Sequence, residues 1–84
     1  MQIPITMMTD KVMSMIKSMV VLAMRVSYRR GATAEDISGF LRAWSPDNER
    51  IYHAGLVERA LFDLQAAGAV TRAGARWYPV GLSA

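Results

Sequence analysis

The chain has 84 residues, a net charge of +3 and 52% hydrophobic residues, which allows one small globular domain and excludes a disordered chain. There is no cysteine, so disulfide staples and cysteine-based metal sites are excluded as well. One histidine, no carboxylate pair in an apolar setting and no phosphate-cradling glycine loop leave no basis for an enzyme, a catalytic residue, a cofactor or a bound metal.

Residues 1–8 contain Pro4 and no helix start signal, and are expected to form an extended or disordered arm, with Met7 and Met8 as alternative initiators to Met1. Thr9 or Asp10 then caps a first helix that runs from Lys11 to about Arg30 without proline or glycine. Val12, Met15, Ile16, Met19, Ala23 and Val26 make one apolar stripe, opposite Lys11, Ser14, Lys17, Ser18 and Arg25. Arg29 and Arg30 suit the negative end of this helix, and Gly31 stops it. Met13, Val20, Val21, Leu22 and Met24 widen the apolar sector beyond one face. A helix that is apolar on more than one side needs cover on more than one side, so a homodimer through this helix is expected. Met15 and Met19 are assigned to the core, and Met13 and Met24 to a subunit or partner interface. Lys17 interrupts the apolar run, which is too short to span a bilayer, and the first charge is Asp10 rather than a cation. A soluble cytoplasmic protein with no membrane partner follows.

Thr33 caps a second helix, with Asp36 at the third helical position as in a capping box. Ile37, Phe40, Leu41 and Trp44 form its apolar face, and Trp44 is expected to close the groove to the third helix. Ser45-Pro46-Asp47-Asn48 breaks the second helix. The third begins near Asp47 or Asn48 and reaches about Ala67, either as one helix weakened by Gly55 or as two pieces that bend there. Val57, Ala60, Leu61, Leu64 and Ala67 are its buried face, and Glu49, Tyr52, His53, Leu56, Arg59, Phe62 and Asp63 its solvent face. Gly68 supplies a left-handed cap. Val70-Thr71-Arg72 and Arg76-Trp77-Tyr78 flank Ala73-Gly74-Ala75 as two short strands around a tight turn. Trp77 is assigned to the core and Tyr78 to the opposite face. Pro79 ends the last strand, and residues 81–84 are a tail.

The run Leu61-Phe62-Asp63-Leu64-Gln65-Ala66-Ala67-Gly68-Ala69-Val70, preceded by Thr33 to Leu41 and followed by the hairpin, resembles the second helix, recognition helix and wing of the winged helix-turn-helix superfamily. The resemblance covers about Thr33 to Val80 and implies a mainly α fold with three helices followed by a two-stranded wing, which with the chain length makes residues 1–84 one domain. It also implies a binding role on double-stranded DNA. Its compact single-domain build is similar to that of transcriptional regulators from phages and mobile elements. Arg50 and Arg59 would then enter or flank the major groove, with His53 beside them, and Arg72 and Arg76 would contact the phosphate backbone from the wing. The segment Ser45 to Gly55 is longer than a compact helix-turn-helix needs. A second expectation is a protein-interaction module that binds and modulates a host protein through Leu56, Phe62, Met13 and Met24. The near balance of acids and bases on the third helix motivates it.

Overall fold

The computed structural model describes residues 5–48 and 50–80. Helix α1 spans Ile5–Ser27, α2 spans Ala34–Trp44, a single 3₁₀ turn covers Pro46–Asn48, and α3 spans Ala54–Ala66. Strands β1 (Val70–Ala73) and β2 (Arg76–Pro79) close the chain as an antiparallel hairpin, with Thr71 opposite Tyr78 and Arg72 opposite Trp77. Three helices followed by a two-stranded hairpin is the expected architecture.

Local chemistry sets most of these boundaries. At the start of α2 the Asp36 N–H donates to Thr33 Oγ1 at 3.1 Å, and the Thr33 N–H donates back to Asp36 Oδ2 at 3.2 Å. Both halves of the capping box are present, so two helix-end donors are satisfied at once. Thr33→Ala should therefore lower the unfolding free energy by about 1 kcal/mol in chemical denaturation. Helix α3 ends in a Schellman motif: Gly68 N–H donates to the Gln65 carbonyl and Ala69 N–H to the Leu64 carbonyl, with Gly68 at φ +80°. Gly74 opens the two-residue hairpin turn at φ +63°, a conformation that glycine adopts without steric cost.

The first and third helices start elsewhere than expected. Helix α1 runs through Thr9 and Asp10 without a cap there, and Ile5 to Met8 are helical rather than an arm. The rest of the arm and the tail at 81–84 lie outside the described residues. Helix α3 starts at Ala54, and its N-cap is His53, whose Nδ1 accepts the Leu56 N–H at 3.3 Å. Gly55 is thus the second residue of the helix, where it interrupts no hydrogen-bonded turn, and neither a mid-helix weak point nor a bend arises. A Cβ at position 55 would sit 3.3 Å from the His53 ring, so glycine leaves room for the cap.

One core draws on every helix and both strands. Ile16, Val20, Ala23 and Met24 of α1, Ile37 and Leu41 of α2, Val57, Ala60, Leu61 and Leu64 of α3, and Val70 and Trp77 of the hairpin are buried together. Ser38 is buried among them, and its hydroxyl donates to the Glu35 carbonyl at 3.1 Å. Tyr28 links α1 to α2: its ring meets Phe40 edge-on at 5.8 Å, and its hydroxyl donates to the Asp36 carbonyl. The hairpin is fastened by a bridge between Ala32 and Trp77, with N–H to carbonyl distances of 3.0 and 2.7 Å.

Several packing expectations are corrected. Met24 is fully buried, so it is core and not interface, while Met15 is 42% exposed and not core. Trp44 is 61% exposed and closes no groove to α3. Tyr52 lies just before α3 and is buried rather than on its solvent face, and burial pushes its phenol above the ordinary tyrosine pKa. Among the described residues no helix is long and apolar enough to cross a membrane.

Candidate functional site: arginines at the hairpin base

The turn that ends α1 is where distant parts of the chain meet. The last helical hydrogen bonds give way at Tyr28, and Gly31 adopts φ +99°. That conformation turns Ala32 back alongside Trp77. Tyr78, on the other face of β2, lies directly over Gly31, in space that any Cβ at position 31 would occupy. Arg76 then sits at the same junction, with Nη1 reaching the Gly31 carbonyl at 3.5 Å.

Arg29 and Arg30 immediately precede Gly31 and are exposed. Arg29 Nε donates to the Arg25 carbonyl at 2.9 Å, so it satisfies a helix-end acceptor and places a cation at the negative end of the α1 dipole. The span from Arg25 to Ala34 carries three arginines and no acid, and the hairpin from Gly68 to Val80 carries two arginines and no acid. The fold brings these two spans together at Gly31. Position 76 is 45 residues from Gly31, so no local pattern announces the arrangement. The signal present in the sequence is only that both spans lack acids.

Arg72 is in a different situation. Directly opposite Trp77 in the hairpin, its guanidinium lies 5.2 Å from the Trp77 ring centroid and 5.4 Å from that of Phe62. Phe62 and Trp77 meet edge-on at 5.1 Å, and Arg72 Nε donates to the Gly74 carbonyl at 2.9 Å. This stack fastens the hairpin to α3, and its cation–π contacts favour that packing. Glu35, Glu58 and Arg72 all line a crevice of about 360 Å³ between the starts of α2 and α3 and the hairpin. Arg72 therefore stands among acids, on the opposite face of the ribbon from Arg76.

Of the other expected DNA-contacting residues, Arg50 is exposed in the loop before α3, and His53 is the α3 cap. Arg59 is exposed on α3 between Glu58 and Asp63, leaving that helix with one arginine against two acids. The structure thus does not gather Arg50, His53, Arg59, Arg72 and Arg76 into one basic face. Arg76 reaches instead the Gly31 carbonyl, next in the chain to Arg30.

The expected partner-interface residues are also dispersed. Met13 and Leu56 are half-buried against the core, Met24 is inside it, and Phe62 is 43% exposed within the arginine stack. Apart from Phe62 and Val80, the large exposed apolar residues among those described lie on α1 and the end of α2. A groove of about 120 Å³ runs between them, lined by Met19, Leu22, Val26, Phe40 and Trp44 over a floor of Ala23 and Leu41. Among the described residues no group of three or more potential metal ligands comes together. No family model matches the chain, and searches of curated proteins and of solved structures return no match.

Proposed function

We propose that this chain is a small DNA-binding protein of winged-helix type, in which the hairpin is the wing and the arginines at its base hold duplex phosphates. The observation that carries this reading is that Arg76 reaches the Gly31 carbonyl, immediately after Arg29 and Arg30 in the chain, on spans that hold no acid. Guanidinium groups donate in a planar fork that suits phosphate oxygens, and phosphate contact supplies most of non-specific affinity. The outer face of α3 offers one arginine between two acids, which suits base reading poorly. Backbone-dominated binding with weak sequence discrimination is therefore expected, in keeping with a small cytoplasmic regulator of the phage or mobile-element kind.

Fluorescence anisotropy with a labelled duplex tests this. Affinity should fall linearly with salt on logarithmic axes. The Arg30→Ala/Arg76→Ala double variant should bind weakly, with a slope shallower by about one for each phosphate no longer neutralised. These two side chains are exposed, so their removal leaves the core intact. Undetectable binding at low salt, or a double variant that binds like the parent, would sink the proposal.

A protein-interaction role is favoured by one separate observation, the apolar groove between α1 and α2 with its exposed Trp44. In that role Trp44→Asp abolishes capture of the partner while Arg30→Ala/Arg76→Ala does not.

A further inference from the structure

The exposed apolar residues of α1 are not scattered. Val12, Met15, Met19, Leu22 and Val26 follow one another at spacings of three, four, three and four. Val12, Met15, Leu22 and Val26 are 37%, 42%, 46% and 69% exposed, and Met19 is half-buried at the groove. This is the a/d pattern of a heptad seam, with Val12, Met19 and Val26 at a and Met15 and Leu22 at d. The sequence carries Ile5 and Met8 at the preceding a and d positions. The residues that α1 buries in its own domain, Ile16, Val20, Ala23 and Met24, lie on a different face. So α1 has two apolar faces, and only one is covered by the described residues of the chain.

We infer that the second face is covered by α1 of a second copy, paired in parallel along the seam. Three observations select this occupant. The 3.5-residue repeat keeps a seam facing another helix, whereas a flat surface or an extended peptide needs no such repeat. The exposed seam runs from Val12 to Val26, about 21 Å, and α2 and α3 turn their own apolar faces into the core, so the helix of this chain with a matching free face is another α1. The residue types fit in part: Val12 and Val26 at a and Leu22 at d are those that favour two parallel strands, while Met19 and Met15 fill the other a and d positions.

Along the paired helices charge favours the parallel direction. The g positions carry Lys11, Ser18 and Arg25, while the e side holds the buried Ile16 and Ala23, the latter beside the Trp44 of α2. In parallel pairing each g residue meets the e position five residues on in the other helix, so Lys11 faces Ile16 and Ser18 faces Ala23, and no cation meets a cation along the helix. In antiparallel pairing g meets g, and Lys11 of one copy faces Arg25 of the other. The parallel dimer also places Arg29, Arg30 and Arg76 of both copies at the same end of the paired helices, a concentration of like charge that a bound polyanion would offset.

Sedimentation equilibrium of the full chain should report twice the 9.3 kDa chain mass, and Leu22→Asp should return it to the single mass with its helical circular dichroism retained. Because the chain has no cysteine, direction can be read by cross-linking. Leu22→Cys should form a disulfide-linked dimer under mild oxidation. A mixture of Val12→Cys and Leu22→Cys chains that links only between the two variants would overturn the parallel arrangement. A parent that sediments as a monomer at every concentration would overturn the dimer altogether. Neither result bears on DNA binding: a monomer that binds duplex in a salt-dependent way leaves the proposed function standing, and a dimer that binds none removes it.

Discussion

Trp77→Ala is expected to lower the unfolding free energy by about 3–5 kcal/mol, measured by urea denaturation followed by circular dichroism. Small domains hold only about 5–15 kcal/mol in total, so the variant should unfold at urea concentrations far below the parent's midpoint. The size of the effect follows from how much converges on this side chain. Trp77 is 2% exposed and among the largest fully buried side chains. Its ring takes the edge contact of Phe62 and the guanidinium of Arg72, so truncation releases α3 and the hairpin from each other. Its backbone forms both hydrogen bonds to Ala32, and those bonds lose their packing cover when the indole is gone. Trp44→Ala is the matched control. With 61% of Trp44 already in solvent, its removal should change stability by no more than about 0.5 kcal/mol at low protein concentration. Equal effects for the two tryptophans would mean that the hairpin is not the closing element of the core.

Gly31→Ala is expected to cost about 2–5 kcal/mol in the same measurement, from two separate causes. The φ of +99° at this position is one that L residues rarely adopt, which costs about 1–2 kcal/mol. The added Cβ would also overlap the Tyr78 ring, whose Cδ1 and Cζ lie 2.8 Å from its ideal position and whose Cε1 lies closer still. Overpacking of that kind costs about 1–3 kcal/mol, because the ring must move and Tyr78 sits next to the Trp77 bridge. Gly39→Ala provides the opposite case. Gly39 lies inside α2 with ordinary φ and nothing within 4 Å of an added Cβ, so alanine there should stabilise the helix by about 0.5–1 kcal/mol. If Gly31→Ala proved as harmless as Gly39→Ala, the packing of Tyr78 onto the α1 turn would be wrong.

The elements that the sequence announces are those whose chemistry is local. Thr33 and Asp36 reach each other within one turn, Gly68 closes α3 on its own last carbonyls, and Gly74 makes a two-residue turn between strands that pair with each other. Trp77 as core is legible for the same reason, since alternation along a strand assigns faces. The start of α3 is not. Its cap is a histidine, and Ser45-Pro46-Asp47-Asn48 offers better-known capping residues a few positions earlier.

What only the tertiary structure decides is which apolar surface meets which. Helix α1 has an apolar sector wide enough to supply two faces, and its periodicity fits either one. The shapes of α2, α3 and the hairpin select Ile16, Val20, Ala23 and Met24 and leave Val12, Met15, Leu22 and Val26 outside. The same holds for charge: Arg29 and Arg30 read as helix-end cations and Arg76 as a hairpin cation, until the Gly31 turn brings β2 back across the end of α1. Caps and turns are short-range interactions and are therefore written in adjacent residues. The choice of buried face and the convergence of arginines depend on packing between residues far apart in the chain, which no local window contains.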